Sequence, residues 1–371
     1  MTARKLVAYV GTYTGHGSDG IRIVELDEAT GQISHITDSA PVPNPTFLAL
    51  HPNGNLLFAA LEIDNYAGGN QGALASFAVR DAGRRLELLN IVESGGIGPC
   101  HVAVDPNGRY LAAANYVSGT VSVTAIHKDG LLGEKSAIIE HRGSSVHPSR
   151  QGSPHAHSVT FTPDQEHLIA ADLGTDHLHV YAFDAARGTL GQAHLVGTRP
   201  GSGPRHLAFH PNGNVCYVVK ELTSEISIYE YHPDGSLRQL QRVDARAAYA
   251  EPNHDSRKEE RTQRPENTGA DIHVDHEGRF LYYSNRGDDT IGTFAVSPDG
   301  LHLEQREQVP TLGQTPRNFA LTPDGDFLIA ANQDGDTLVP FRRDRTTGRL
   351  AATGSVHVMS HPVCVLFAPV R

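Results

Sequence analysis

The feature that most constrains this chain is a motif that recurs around its whole length. An apolar run, a turn built on Pro-Asn/Asp-Gly and a second apolar run appear as FLALHPNGNLLFAALE (47–62), HVAVDPNGRYLAAANY (101–116), SVTFTPDQEHLIAADL (158–173), HLAFHPNGNVCYVVKE (206–221), DIHVDHEGRFLYYSNR (271–286) and NFALTPDGDFLIAANQ (318–333). A seventh copy opens at HPVCVLFAPVR (361–371) and stops after its first run. KLVAYVGTYTG (5–15) has the pattern of the missing second run. The turn residue is Pro52, Pro106, Pro163, Pro211, His276, Pro323 and Pro369, a spacing of roughly 50 residues. From Pro369 through the C-terminus and around to Pro52, the distance equals one whole repeat. A ring needs that arithmetic when its last unit is shared by the two ends.

Each repeat continues with two more runs, such as GALASFAV (72–79) with LELLNIVES (86–94), or EISIYEY (225–231) with LRQLQRV (237–243). Apolar alternation has period two, and no stretch shows the 3.6-residue period of a helix. Four short strands per repeat and seven repeats predict an all-β, seven-bladed β-propeller of four-stranded blades, one domain over residues 1–371. With no Trp, the chain does not resemble WD40 repeats, and Gly-Gly pairs do not recur as in kelch repeats. The interval between Pro211 and His276 is the longest. Its excess, a polar and charged segment at about 243–268, reads as a loop inserted into one blade.

A net charge of −11 argues against nucleic acid or an anionic membrane surface as partner. Cys100, Cys216 and Cys364 are an odd, scattered set without a CxxC, which suggests free thiols in a reducing, cytoplasmic setting. Leu6–Val10 is too short for a signal peptide, and no run reaches the ~20 apolar residues of a membrane span.

Superposing the repeats locates a candidate site. Innermost strands begin, and second strands end, at one rim of the channel. Six and five residues before the turn stand Thr46, Cys100, His157, Arg205, Ala270, Arg317 and Val363, then Phe47, His101, Ser158, His206, Asp271, Asn318 and Cys364. Nine and ten residues after it stand Leu61, Asn115, Asp172, Lys220, Asn285 and Asn332, then Glu62, Tyr116, Leu173, Glu221, Arg286 and Gln333. A different polar group on each blade is what one asymmetric small ligand would need. Only one copy of the first strand carries His-x-His, at His155 and His157. His155-x-His157 and His177-x-His179, with Asp172 near, have one-face metal spacing, but no convergent third and fourth ligand is evident; no metal and no cofactor is expected. Neither a G-x-S-x-G elbow nor a Gly-rich phosphate loop is present.

VHPSRQGSPHAHSVTFTPD (146–164), GPRHLAFHPNG (203–213), KELTSEISIYEY (220–231), NRGDDTIGTF (285–294) and ANQDGDTL (331–338) resemble the lactonase family of seven-bladed propellers. That family includes bacterial 6-phosphogluconolactonases and fungal carboxymuconate-lactonizing enzymes. The resemblance covers essentially the whole chain. It implies a site of one histidine, two arginines and a glutamate, matching His157, Arg205, Arg286 and Glu221. Either His157 or Glu221 would be the acid or base. Arg205 would stabilise an oxyanion, and Arg286, with Lys220 or Arg150, would hold an anion. His101, His155, His206, Arg317, Asn332 and Gln333 complete the expected substrate-binding set. Lys220 stands where relatives usually have Asn. The implied activity is metal-independent hydrolysis of a small anionic lactone, 6-phosphogluconolactone of the pentose phosphate pathway foremost; the oligomeric state stays open, a monomer included. A muconate-type isomerase, a lactonase for another sugar acid and a non-catalytic binding platform are the alternatives.

Overall fold

In the computed structural model, which describes residues 5–15, 17–246 and 267–369, seven antiparallel sheets form a ring. The innermost strands are Pro45–Leu50, Pro99–Val104, Ala156–Phe161, Pro204–Phe209, Thr268–Val274, Pro316–Leu321 and Pro362–Phe367. Blades 1 to 7 take their numbers in that order. Blade 7 is the shared one: Pro362–Phe367 pairs with Lys5–Thr12 through Ala8 with Phe367, Tyr9 with Leu366 and Val10 with Val365. Each blade has four strands in line, and blade 6 adds a two-residue strand, His357–Val358. Among the described residues no α-helix forms; only two single-turn 3-10 segments interrupt the sheets.

Burial explains the strand sequences. Val215–Lys220, His167–Asp172 and Phe327–Asn332 are buried at every residue, because a neighbouring blade covers each sheet face. Such strands read as continuous apolar runs. Outer strands, such as Arg85–Glu93, are exposed or half-buried at nearly every residue. The turns are equally determined: Gly54, Gly108, Gly213, Gly278 and Gly325 have φ between +70° and +79°, a region that glycine enters without steric cost. In blade 3 Gln165 occupies that place at φ +67°. Two turn histidines join blades. His51 Nε2 donates to the Gly108 carbonyl at 2.9 Å, and His210 Nε2 to that of Gly278 at 3.0 Å.

The insertion expected at about 243–268 lies mostly at 247–266, outside the described residues. The strands flanking it are the outermost of blade 4, Leu237–Asp244, and the innermost of blade 5, Thr268–Val274, and their ends toward it lie on the face where innermost strands begin.

Candidate active site

Each innermost strand starts with the same irregularity. In blade 3 Ala156 pairs with Asp172 and Ser158 with Ala171, leaving His157 extra. Arg205 is the extra residue between Pro204 and His206, and Arg317 between Pro316 and Asn318. Thr46 and Cys100 occupy the equivalent places. Such bulges kink a strand and re-aim a side chain, and they favour sites of function. The sequence pattern of period two does not reveal them.

Glu221 is the hub. Its Oε2 takes hydrogen bonds from Arg205 Nε at 3.0 Å and pairs with Arg286 Nη2 at 2.9 Å, while Oε1 accepts from Arg150 Nη2 at 2.5 Å. His157 Nε2 lies 3.8 Å from Oε2. The four residues matched by resemblance therefore meet, and Arg150 joins them from the 141–155 connection. Glu221 and Arg205 are only 2% and 1% exposed. Burial opposes ionisation of Glu221, but Arg286, Arg205 and Arg150 outweigh it and hold the carboxyl far below the usual range. Burial, then Arg205 and other neighbouring cations, keeps His157 well below the ordinary histidine value. The imidazole is neutral at neutral pH, and its Nδ1 has no partner among the described residues. Burial also lowers Arg205, to about 9, helped by Arg286 and Arg317.

A polar chain supports Arg205 from below. Its Nη1 donates to the Ala270 carbonyl at 2.5 Å and faces His206 Nε2 at 3.3 Å. His206 Nδ1 bonds Asp271 Oδ1 at 2.8 Å, and Asp271 Oδ2 is held by His273 Nε2 at 2.9 Å and Asn318 Nδ2 at 2.6 Å. His101 stacks on Phe47 at 4.0 Å and meets the edge of His206 at 5.1 Å. His155 stacks on Tyr116 at 4.5 Å and bonds its carbonyl, fixing the ring whose hydroxyl accepts from Arg150 at 3.1 Å. Arg317 sits over Tyr13, 5.7 Å from the ring centre. Arg205, His206, Arg317 and Asn318 line a small cavity with Thr46, Phe47, Glu62, Cys100 and Val363.

Three expected residues do not join this cluster. Two of them, Lys220 and Asn332, stand nine after the turn; successive strand residues face opposite ways, so that slot points into the blade while the slot ten after the turn, which Gln333 shares with Glu221, points to the mouth. Lys220 is 1% exposed, its Nζ has no hydrogen-bond partner among the described residues, and it lies 5.6 Å from the Tyr229 ring. Asn332 Nδ2 donates instead to Thr311 O and Thr337 Oγ1, both at 3.2 Å. Gln333 Nε2 donates to Asp334 at 3.0 Å. Conversely, Tyr13 was missed. The register of blade 7 pairs Gly11 with Cys364, which puts Tyr13 in the slot of Glu62, Glu221 and Arg286. Numbering the N-terminal strand in the repeat frame would have found it. Tyr13 Oη donates to Glu62 Oε1 at 2.9 Å and Thr46 Oγ1 to Oε2 at 2.7 Å, so Glu62 also belongs to the mouth.

Asp172, the equivalent of Lys220 on blade 3, belongs to a second buried cluster. Asp172, His179 and His141 bring potential metal ligands within 4.8 Å of one another. His141 was not foreseen. Its Nδ1 bonds Asp172 at 2.6 Å and its Nε2 bonds Tyr181 at 2.8 Å. Its ring lies face to face with His179, centroids 3.6 Å apart and planes 3° apart. Parallel rings aim their in-plane lone pairs side by side, so a shared ion requires one ring to turn.

A model of the lactonase seven-bladed β-propeller family matches residues 7–367. The chain belongs to that family. It is 36% identical over 364 residues to a 6-phosphogluconolactonase of Bacillus subtilis, with 98% of each chain covered. It is 32% identical to a 6-phosphogluconolactonase of Formosa agariphila, covering 92% of this chain and 94% of that one. Among solved structures, the periplasmic gluconolactonase of Pseudomonas aeruginosa superposes with a TM-score of 0.90 at 33% identity, covering 99% of this chain and all of the other. As a lactonase-family chain it shares a fold built to bring blade-end side chains to one mouth, and no helix among its described residues is long and apolar enough to cross a membrane.

Proposed function

We propose that this chain hydrolyses a sugar-acid lactone, 6-phosphogluconolactone first, by side-chain chemistry alone. One observation carries the reading: a buried His157 beside a carboxylate ringed by three arginines, where burial and Arg205 favour the neutral imidazole. Glu221 is too strongly stabilised as an anion to be the base, which leaves His157. His157 takes a proton from water as the water oxygen adds to the lactone carbonyl. Arg205 and Arg286 supply positive charge to the oxyanion. Collapse breaks the ring C–O bond, and the imidazolium returns its proton to the departing alkoxide. Glu221 stabilises the imidazolium in between. The names of the relatives support the same substrate class.

The test is a panel of 6-phosphogluconolactone, gluconolactone and muconolactone, each with and without EDTA, corrected for spontaneous opening. Chelator-resistant turnover of the phosphorylated lactone is expected. Chelator-sensitive turnover would overturn the metal-free mechanism. Turnover of muconolactone alone would move the chain to the isomerase branch, and no turnover would leave a binding platform.

A further inference from the structure

Four arginines converge on the mouth, but their commitments differ. Arg150, Arg205 and Arg286 each bind Glu221. Arg205 also binds the Ala270 carbonyl, and Arg286 that of Gly269 at 3.3 Å. Arg317 makes no hydrogen bond and no ion pair among the described residues; its one contact of note is the Tyr13 ring. The nearby Glu62 carboxylate is taken by Tyr13 and Thr46. Arg317 nevertheless lines the cavity floored by Arg205 and His206. Glu62 and Glu221 compensate its charge from a distance and outweigh burial, but its N–H donors have no acceptor among the described residues, and five donors in a planar fork suit a phosphate. The chain's net charge of −11 gives no general attraction for anions, so a local cation excess must do the work.

We propose that Arg317 is the specificity residue that grips the remote phosphate monoester of the substrate, while Arg286 stays with Glu221. The proposal rests on the lactonase reading and names the residue that makes the site prefer a phosphorylated lactone. The sequence alone pointed to Arg286 for this role; the Glu221 pairing removes it.

Two measurements test it on the full chain, Arg317→Met and Arg317→Lys. In the first, kcat and KM are compared on 6-phosphogluconolactone and gluconolactone. Arg317→Met should lower the preference for the phosphorylated substrate roughly 10- to 100-fold, mainly through KM. Arg317→Lys should recover part of it, as a charge without the fork. In the second, calorimetry measures binding of 6-phosphogluconate and of gluconate. The variant should lose affinity for the former far more than for the latter. Equal losses on both substrates, or an unchanged preference, would overturn the assignment. If the wild type turns over no lactone, the lactonase reading falls, and calorimetry still decides. Phosphate-dependent binding lost in Arg317→Met then supports the grip, and equal binding by both proteins refutes it.

Discussion

At the scale of single residues, protonation separates the roles of His157 and Glu221. Because burial and Arg205 depress the histidine, it stays neutral below the pH at which an ordinary histidine protonates. The acid limb of kcat/KM should therefore lie clearly below pH 6.5, measured with the spontaneous rate subtracted; a limb at or above 6.5 would exclude His157 as the base. His157→Ala should cost about 10²- to 10⁴-fold in kcat on either lactone. Lys220 makes a stability prediction. Burial lowers its amine from the ordinary lysine value of 10.5 to about 7. Between these values the unfolded chain holds a proton that the folded chain lacks, so stability rises with pH across that window and the full penalty persists below it. Asn115, Asn285 and Asn332 fill the same slot on other blades. Lys220→Asn should then stabilise by roughly 1–3 kcal/mol at pH 7 and below. Urea denaturation should show the gain shrinking toward pH 10.

At the scale of elements, the two devices that shape the site are the bulge and the turn. The bulge makes His157, Arg205 and Arg317 the unpaired residues of their strands, and the period-two alternation sends Glu221 and Arg286 to the mouth but Lys220 and Asn332 inward. Slots were legible in the repeat; on the innermost strands their directions were not, because an extra residue inverts the alternation that a sequence pattern assumes. The turn carries its own prediction. Gly278 has φ +70°, and a Cβ there would run into the His210 ring that bonds its carbonyl. Gly278→Ala should destabilise by about 1–3 kcal/mol in urea titration. Gln165→Gly, at φ +67° in the same turn position, should have the opposite sign.

At the scale of the whole molecule, closure is covalently open and held by one antiparallel pair. Truncation after His361 removes the innermost strand of blade 7 and exposes the edge of Lys5–Thr12. It also removes Val365, whose N–H donates at 2.7 Å to Asn318, a residue of the network under Arg205. The truncated chain should aggregate or elute as a swollen species on size exclusion, with loss of turnover; a native-like monomer would show that the ring does not depend on the shared blade. The same closure brings Tyr13 of one terminus against Arg317 of blade 6, so the ends of the chain complete the mouth as well as the ring.

The sequence by itself determined the seven repeats, their four strands and the sharing of one blade by both termini. These depend on local periodicity and on turn chemistry, which each segment carries within itself. It also named most residues of the mouth, though not Tyr13, since equivalent positions in a repeat occupy equivalent places in a ring. Only the tertiary structure decided which of them meet. The three arginines on Glu221, the seat of Arg317 over Tyr13, the turn of Lys220 away from the mouth and the stacking of His141 on His179 are contacts between distant residues. Their geometry is set by how blades pack against one another, and no repeat carries that information alone.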